Sequence, residues 1–372
     1  MNRIIIEYVR YYDMDGKNKT IGGIQTYIMN LAELFAKNNY EVIIIQPSNR
    51  DFEIKENGYK VKGIKCDTKK FSNISKTLIR TVEKNYDCEN DILIFGSSVL
   101  VRKTRFKKSI NIQHGIYWDV PFIKNFRNLP DTITILLRGV KAKKELEAVS
   151  NTSKTVCVDY NYINWYRCQT MKRNRELIAI PNFVNTTYEY CRNENDSNIS
   201  IIFARRFEEI RGSRLITEVF KNILEKYKNV NITIAGSGKD EELLRRCFKK
   251  YSGKVNFIKY ASEESIELHS KYDIAVVPSI GSEGTSLSLL EAMWAGCAVV
   301  CTNIGGMTNI ILDEYNGIMV QPNAIQVCKA IENLIDNTSK RKYLSKNAKE
   351  TVKVAFSRNI WDKKWMEVIK SF

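Results

Sequence analysis

Short apolar runs alternate with stretches of helical periodicity along most of the chain. The runs are rich in Ile and Val, and many end in Gly, Pro or Ser, which is typical of buried strands. Apolar residues at helical spacing follow several of these runs, for example from Ile24 to Phe35. This alternation predicts an α/β protein with parallel sheets. The predicted strands are residues 4–6, 42–45, 92–95, 110–113, 155–158, 177–180, 199–203, 231–235, 255–258, 274–277 and 298–301.

The length and the distribution of polar residues indicate two domains. A chain of 372 residues with 44% hydrophobic content can form two packed cores. A polar run from Asn193 to Asn198 interrupts the pattern, and a new strand begins at Ile199. We therefore expect two Rossmann-like domains, residues 1–185 and 186–357. A helix over residues 358–372 follows them, with Trp361 and Trp365 on its apolar face.

The stretch from Pro278 to Gly296 carries the most specific pattern in the chain. A buried strand leads into a turn rich in Gly, Ser and Thr, and a buried helix follows the turn. The free amide groups and the dipole of such a helix N-terminus favour an anion. Glu283 lies in the turn and Glu291 on the helix, and both would repel phosphate but accept hydrogen bonds from hydroxyl groups. The local chemistry predicts a ligand with a phosphate end and a polyhydroxyl part, such as a nucleotide sugar.

This stretch resembles the signature of the retaining GT-B glycosyltransferases of family 4, also called glycosyl transferases group 1. The signature is two glutamates separated by seven residues, with Ala-Met after the second, and here it spans residues 283–293. Further positions of the chain resemble the motifs of that family, and these are Gly22, Gly23, His114, Pro181, Asn182, Arg206, Arg211, Asn316 and Gly317.

The chain departs from the pattern of that family at three positions. Arg205 stands where Gly is usual, Arg211 where Lys is usual, and Phe183 where Gly is usual. The two arginines keep or add positive charge at a junction between a strand and a helix, where a guanidinium can bind phosphate oxygens.

The resemblance implies a GT-B fold, with a cleft between the two domains and a C-terminal helix that crosses back to the first domain. The first domain would bind the acceptor and the second the nucleotide sugar. Glu283 would bind hydroxyl groups of the sugar, Glu291 the ribose, and His114 would lie near the primary hydroxyl of the sugar. The diphosphate would be bound by Arg206, Arg211, Gly22, Gly23 and the helix N-terminus formed by Gly284, Thr285, Ser286 and Leu287.

By the same resemblance, the enzyme would be a glycosyltransferase of the hexosyltransferase class that acts with retention and without a metal or another cofactor. The departing diphosphate would take the proton of the acceptor. The sequence indicates no second carboxylate placed as the nucleophile of a double displacement. The acceptor would be a glycan or a lipid-linked molecule in the assembly of cell-envelope or extracellular polysaccharide. Asp13 and Asp15 form an Asp-x-Asp that we interpret as an ordinary loop, with acceptor contact the better functional role for Asp13.

A formal charge of +16 favours an acidic partner. Basic residues cluster at 102–108 and at 138–144, and an apolar stripe from Trp118 to Leu129 lies between them. These segments would suit an anionic membrane surface, a core helix with a solvated basic side, or nucleic acid. We expect no nucleic-acid partner, because no nucleic-acid-binding motif is present. Nine cysteines without a Cys-x-x-Cys pair suggest a cytoplasmic protein, peripheral at the inner face of the membrane if the basic segments bind there.

Two other functions fit some of these features. One is a basic module that binds a nucleic acid or a membrane surface without catalysis, for which the charge is the only support. The other is a sugar-nucleotide epimerase of GT-B architecture, which would need catalytic acids and a His that the sequence does not indicate.

Overall fold

The computed structural model describes residues 3–20, 22–67, 71–115, 130–171, 175–186, 198–281 and 283–372. The chain forms two α/β units. The first contains the described residues of Met1–His114, Leu129–Ile180 and Asp362–Phe372. The second contains the described residues of Gly115–Asn128 and Pro181–Trp361.

The first unit is built on an eight-stranded sheet. Its central strand is wholly apolar from Ile4 to Ile6, and these three side chains have no solvent exposure. All neighbouring strands are parallel except one antiparallel pair at the edge. In chain order the strands are β1 Arg3–Glu7, β2 Glu41–Ser48, β3 Phe52–Lys55, β4 Tyr59–Lys65, β5 Ile92–Phe95, β6 Lys108–Gln113, β7 Lys154–Cys157 and β8 Glu176–Ala179. The order in space is β3-β4-β2-β1-β5-β6-β7-β8.

Four helices lie wholly within the described part of this unit. The first begins directly after Gly22 and buries Tyr27, Ile28, Leu31 and Phe35, which recur at helical spacing. The helices are α1 Gly23–Lys37, α2 Phe71–Asn85, α3 Asp131–Ser150 and α4 Tyr160–Gln169.

The second unit is built on a six-stranded, fully parallel sheet. Its strands are β9 Ile199–Ala204, β10 Val230–Ala235, β11 Val255–Ile258, β12 Ile274–Val277, β13 Ala298–Thr302 and β14 Ile318–Val320. The order in space is β11-β10-β9-β12-β13-β14. This is the order of a doubly wound dinucleotide-binding sheet, and its direction reverses between β9 and β12. Open α/β sheets bind ligands outside the carboxyl ends of the strands at such a reversal.

Helices cover both faces of the second sheet and supply its two apolar clusters. The helix after β12 places Leu289, Leu290, Ala292 and Met293 in one of them, each with no exposure. The helices of this unit are α5 Leu215–Lys226, α6 Glu241–Phe248, α7 Ser265–His269, α8 Leu287–Trp294, α9 Ala324–Asp336 and α10 Thr338–Ala355. The final helix, α11 Arg358–Lys370, begins in the second unit, and its residues from Asp362 onwards belong to the first.

The final helix contributes a tryptophan to each unit. In the first unit, Trp365 Nε1 donates to Tyr27 Oη at 2.9 Å. In the second unit, the ring of Trp361 lies 4.7 Å from that of Phe183, which is also covered by the Arg358 guanidinium. Both tryptophans are buried, so the apolar spacing that predicted this helix face is confirmed.

The structure adds several elements to the sequence prediction and corrects one residue. The strands β3 and β4 and the helix α2 were not predicted. His269 lies in a Glu-rich stretch of sequence, which would suggest a surface residue, but the structure shows it to be 2% exposed. Its Nδ1 lies 2.7 Å from the Ser265 carbonyl oxygen, and burial lowers its pKa to about 4, so the ring is neutral at pH 7.

Two predicted features fall outside the described residues, namely the apolar stripe from Trp118 to Leu129 and most of the polar linker that begins at Asn193. Among the described helices, none combines the length and the apolar character needed to cross a bilayer.

Candidate active site

The reversal point of the second sheet brings together residues that are 78 positions apart in sequence. Arg205 directly follows β9, and Glu283 lies in the turn after the neighbouring strand β12. Because parallel strands end at the same edge of the sheet, both side chains emerge beside one another.

Glu283 is the centre of this group and is 6% exposed. Its Oε1 atom accepts a hydrogen bond from Ser279 Oγ at 2.5 Å and forms an ion pair with Arg211 Nη1 at 2.6 Å. Arg205 Nη2 pairs with the same oxygen. Three donors therefore fix one carboxylate oxygen and determine the position of the other.

The two arginines determine the charge of Glu283. Burial by itself would raise the pKa of this carboxyl, but the charges of Arg205 and Arg211 and the hydrogen bond from Ser279 bring it below its usual range. Glu283 is therefore ionised at neutral pH and acts only as a hydrogen-bond acceptor.

The other terminal nitrogen of the Arg205 guanidinium is Nη1. The Arg205 side chain is 7% exposed, and Nη1 has no hydrogen-bond acceptor among the residues that the structure describes. A buried donor without an acceptor costs about 1–3 kcal/mol, and more when the group is charged. A cationic donor left unsatisfied at the carboxyl end of a strand is suited to an oxygen of an anionic ligand.

Arg206, which the sequence analysis placed in this role, does not join the group. Its side chain is 69% exposed and lies 3.9 Å from Glu208. Arg205 lies in a bend directly after β9, and its side chain reaches Glu283, whereas the side chain of the next residue, Arg206, faces solvent. Arg205 and Arg211 are therefore the two cationic partners of Glu283. Diphosphate binding by Arg206 stays a prediction.

Two glycines after β13 support the turn that contains Glu283. The Gly306 amide donates to the Glu283 carbonyl at 2.9 Å, and a Cβ atom at Gly306 would lie 2.4 Å from the Gly284 carbonyl oxygen. Gly305 has a φ of +53° and approaches the Glu283 backbone as closely. Only glycine fits these contacts without moving the turn.

The turn leads directly into α8. Thr285 and Ser286 are buried, and Asn182 Nδ2 donates to the Thr285 carbonyl at 2.7 Å. The Leu290 amide donates to the Ser286 carbonyl at 3.1 Å, so the amides of Leu287, Ser288 and Leu289 precede the first intrahelical bond. These amides and the positive end of the helix dipole provide favourable positions for an anion.

Glu291 lies further along α8 in a different environment. Ser265 Oγ donates to its Oε2 at 2.6 Å, and burial raises the pKa of Glu291. Tyr260 lies near it, and burial together with the charge of Glu291 raises the pKa of this tyrosine to about 12. The sequence analysis did not identify Ser265 as a site residue, because it belongs to no motif.

In the first unit, Gly22 and Gly23 lie where α1 begins. The Gly22 carbonyl accepts from the Thr26 amide at 2.9 Å, which starts the helix. A Cβ atom at Gly22 would lie 2.6 Å from Gln25 Oε1, the end of a flexible side chain. The predicted strand, glycine loop and helix are therefore present, and donor binding by these glycines stays a prediction.

His114 lies just past β6 in the first unit, as the sequence analysis predicted from its position. Its Nε2 is 2.9 Å from the Gly96 carbonyl oxygen, and its ring meets the ring of Tyr27 edge-on at 5.2 Å. Burial lowers the pKa of His114 to about 4, so the ring is neutral at pH 7. Only a protonated nitrogen can pair with a carbonyl, which assigns the hydrogen to Nε2 and makes Nδ1 an acceptor.

Asp13 organises its own loop. Its carboxylate accepts hydrogen bonds from the backbone amides of Asp15, Lys17 and Asn18, and these bonds lower its pKa. This loop role accounts for the residue without a ligand, and acceptor contact by Asp13 stays a prediction. In the described part of the chain, no three His, Cys, Asp or Glu side chains are grouped as metal ligands would be.

The sequence of the second unit matches a known family. Residues 191–351 fit the profile of the glycosyl transferases group 1. An uncharacterized glycosyltransferase of Methanocaldococcus jannaschii is 30% identical over 305 residues, which is 74% of this chain and 81% of that protein. The chain belongs to the glycosyl transferases group 1. It is thus a glycosyltransferase, as the signature around Glu283 and Glu291 predicted.

Solved structures show that this glycosyltransferase has the GT-B fold. Sucrose-phosphate synthase from Thermosynechococcus elongatus superposes with a TM-score of 0.79 at 16% identity, over 100% of this chain and 99% of that chain. HepE from Anabaena, solved in complex with UDP, superposes with a TM-score of 0.74 at 12% identity over the whole of both chains. The predicted fold class is confirmed.

Proposed function

We propose that this glycosyltransferase takes its sugar from a nucleoside-diphosphate donor bound at the reversal point of the second sheet. The observation that carries the proposal is the unsatisfied Nη1 of Arg205 beside the ionised Glu283. The pair presents a buried cation for phosphate oxygens next to a fixed acceptor for hydroxyl groups. The structural likeness to HepE, which was solved with UDP, supports a nucleotide as the bound group.

In this proposal each group has a separate role. Arg205 and the first amides of α8 bind diphosphate oxygens, and they stabilise the negative charge that develops as the sugar–phosphate bond breaks. Glu283 accepts hydrogen bonds from the sugar hydroxyls. Glu291 accepts from the ribose, with Ser265 fixing its orientation. Arg211 keeps Glu283 ionised and adds positive charge beside the leaving group.

The finer features of the reaction are also proposals. Transfer proceeds with retention, and the departing diphosphate takes the proton of the acceptor hydroxyl. The charge of the diphosphate is balanced by arginine and helix amides, so the reaction needs no metal. The acceptor is a glycan or a lipid-linked molecule used in the assembly of envelope or extracellular polysaccharide.

A melting-temperature panel identifies the donor. UDP-, GDP-, ADP-, CMP- and dTDP-sugars are added to the protein, first with EDTA and then with magnesium. A ligand that binds only the folded protein raises the melting temperature by mass action, and at about a hundred times its dissociation constant it adds about 2.7 kcal/mol of stability. We expect one nucleotide class to raise the melting temperature with EDTA present.

The Arg205→Gln variant separates binding at this site from binding elsewhere. We expect the shift to disappear in this variant and to persist in Arg206→Gln, which changes a neighbouring exposed arginine. No shift with any nucleotide sugar in the wild-type protein would contradict the proposed donor class, and equal shifts in both variants would contradict the assigned site.

A further inference from the structure

The first half of α3 exposes an apolar stripe to solvent. Ile133, Leu136, Leu137 and Val140 recur at i, i+3, i+4 and i+7, which places them on one face of the helix. They are between 38% and 69% exposed. The buried residues of α3, which are Ala142, Ala148 and Val149, all lie in its second half. This apolar stripe therefore has no role in the core of the first unit.

A group of cations accompanies the apolar stripe. Arg138, Lys141, Lys143 and Lys144 lie on the same helix, and none of them has an ion-pair or hydrogen-bond partner within the described ranges. The other basic cluster predicted from the sequence differs in this respect. There Arg105 pairs with Glu83, and Lys107 and Lys108 also have partners, which are Glu89 and the Asn90 carbonyl.

We propose that the first half of α3 docks on an anionic lipid bilayer. Four exposed aliphatic side chains would enter the boundary between headgroups and acyl chains, where their burial is favourable. The four cations would remain at the headgroup level and attract anionic lipid. The combination of an apolar face with adjacent unpaired lysines is what distinguishes an interfacial helix from a helix that only faces water.

The chemistry of the stripe and its cations argues against two other partners, which are a second copy of the chain and nucleic acid. If a second copy of the chain paired through the same stripe, the two sets of four cations would face each other, and like charges in apposition weaken such an interface. Nucleic acid would engage the cations but would leave the four aliphatic side chains without an apolar partner. An anionic bilayer accommodates both features.

Co-sedimentation with lipid vesicles tests the proposal. One set of vesicles contains phosphatidylcholine alone, and the other contains phosphatidylcholine with phosphatidylglycerol. We expect the wild-type protein to bind the second set and to be released by high salt, because the attraction of exposed charges is screened. Failure of the wild-type protein to bind the anionic vesicles would overturn the proposal.

Matched variants locate the surface. Lys143→Gln with Lys144→Gln removes two charges from α3, and Lys346→Gln with Lys353→Gln removes two exposed charges from α10. Each lysine near the bilayer is worth about a fivefold change in partitioning, so the α3 pair should bind roughly 25-fold more weakly. The α10 pair, which belongs to the second unit, should stay within about twofold of wild type. Equal losses in both pairs would show that net charge alone attracts the protein to the vesicles, which contradicts the proposal.

Another matched pair of double variants tests the contribution of the apolar side chains to vesicle binding. Leu136→Gln with Val140→Gln removes half of the stripe, and Ile325→Gln with Val354→Gln removes two comparably exposed aliphatic side chains elsewhere. Only the first pair should lose vesicle binding. If that pair instead converts a dimeric wild-type protein to a monomer and leaves vesicle binding unchanged, the stripe is an interface between copies and the proposal is wrong. Nucleotide-induced melting shifts should be the same in all four variants, so this test is independent of the proposed donor.

Discussion

Arg205 and Arg211 place guanidinium nitrogens on the same carboxylate oxygen of Glu283. Arg205 and Arg211 lie in the segment that follows β9, and Glu283 lies in the turn that follows the adjacent strand β12. The side chains of Arg205 and Glu283 are buried, and that of Arg211 is 17% exposed. Taken together, two guanidinium groups and one carboxylate carry one positive charge in excess. That excess is what a diphosphate would neutralise.

Replacing Glu283 with Gln should affect both stability and activity. The side-chain shape is kept, but two buried cations lose their counter-charge. Removing one partner of a buried ion pair typically costs about 3–5 kcal/mol, and we expect the lower part of that range because Arg211 is 17% exposed. Urea unfolding measures the loss, and transfer from the identified donor should be abolished. A Glu283→Gln variant with wild-type stability and turnover would contradict the assigned role.

The turn around Glu283 depends on close backbone packing. Gly306→Ala introduces a Cβ atom 2.4 Å from the Gly284 carbonyl oxygen, so the turn must move. Overpacking of this kind costs about 1–3 kcal/mol, and we expect the nucleotide-induced melting shift to fall as well. Gly253→Ala is the matched control, since a Cβ atom there meets no atom within 4 Å. Comparable nucleotide shifts in both variants would show that the turn does not position the ligand.

The burial of Glu7 predicts that the free energy of unfolding depends on pH, independently of the candidate active site. It ends β1, is fully buried, and neither carboxylate oxygen has a hydrogen-bond partner among the described residues. Burial, with a smaller effect from Glu83, raises the pKa of Glu7 from 4.5 to about 8. Between these values the folded protein binds more protons at this residue than the unfolded chain. The contribution of Glu7 to the free energy of unfolding is therefore fully present below pH 4.5. It is lost as the pH rises towards 8, by about 1.4 kcal/mol per pH unit.

The Glu7→Gln variant tests that dependence. Its free energy of unfolding should fall less steeply between about pH 5 and 8 than that of the wild-type protein. Identical slopes for the two proteins would show that Glu7 does not carry its proton in the folded state.

The lowered pKa values of the two histidines predict that the free energy of unfolding decreases as the pH falls in the acid range. Burial lowers the pKa of both His114 and His269 from 6.5 to about 4. Their contribution to stability is therefore present above pH 6.5 and is lost as the pH falls through about 4. His114→Gln should reduce this loss by about 1.4 kcal/mol per pH unit within that window. Proton NMR titration of the imidazole resonances provides the direct check, and a His114 pKa near 6.5 would contradict the burial seen in the structure.

The sequence predicted those parts of the fold that depend on local pattern. The strand before Glu283, the turn and α8 follow one another directly, so composition and spacing were sufficient to predict them. The strands β3 and β4 were missed because only continuous apolar runs were counted. Residues 59–65 read YKVKGIK, and this period-two alternation is the signal that predicts a strand with one buried face.

Other features depend on contacts that no local pattern contains. Residues 205 and 206 are both arginines, so the sequence does not distinguish them. Only the direction of the chain after β9 determines which of the two faces Glu283. His269 lies in a polar segment, and its burial depends on the packing of α7 against α8, which follows from the tertiary fold. Tyr260 and Ser265 join Glu291 for the same reason.

The affinity of Arg205 and Arg206 variants for the donor nucleotide tests the central claim most directly. Isothermal titration with the nucleoside diphosphate identified by the melting panel compares the wild-type protein, Arg205→Gln and Arg206→Gln. A lost hydrogen bond to a charged group costs about 1.5–3 kcal/mol, so Arg205→Gln should bind roughly 10- to 100-fold more weakly. Arg206→Gln should bind nearly as the wild-type protein does. A large loss in Arg206→Gln with little change in Arg205→Gln would contradict the account and restore the assignment made from the sequence motif.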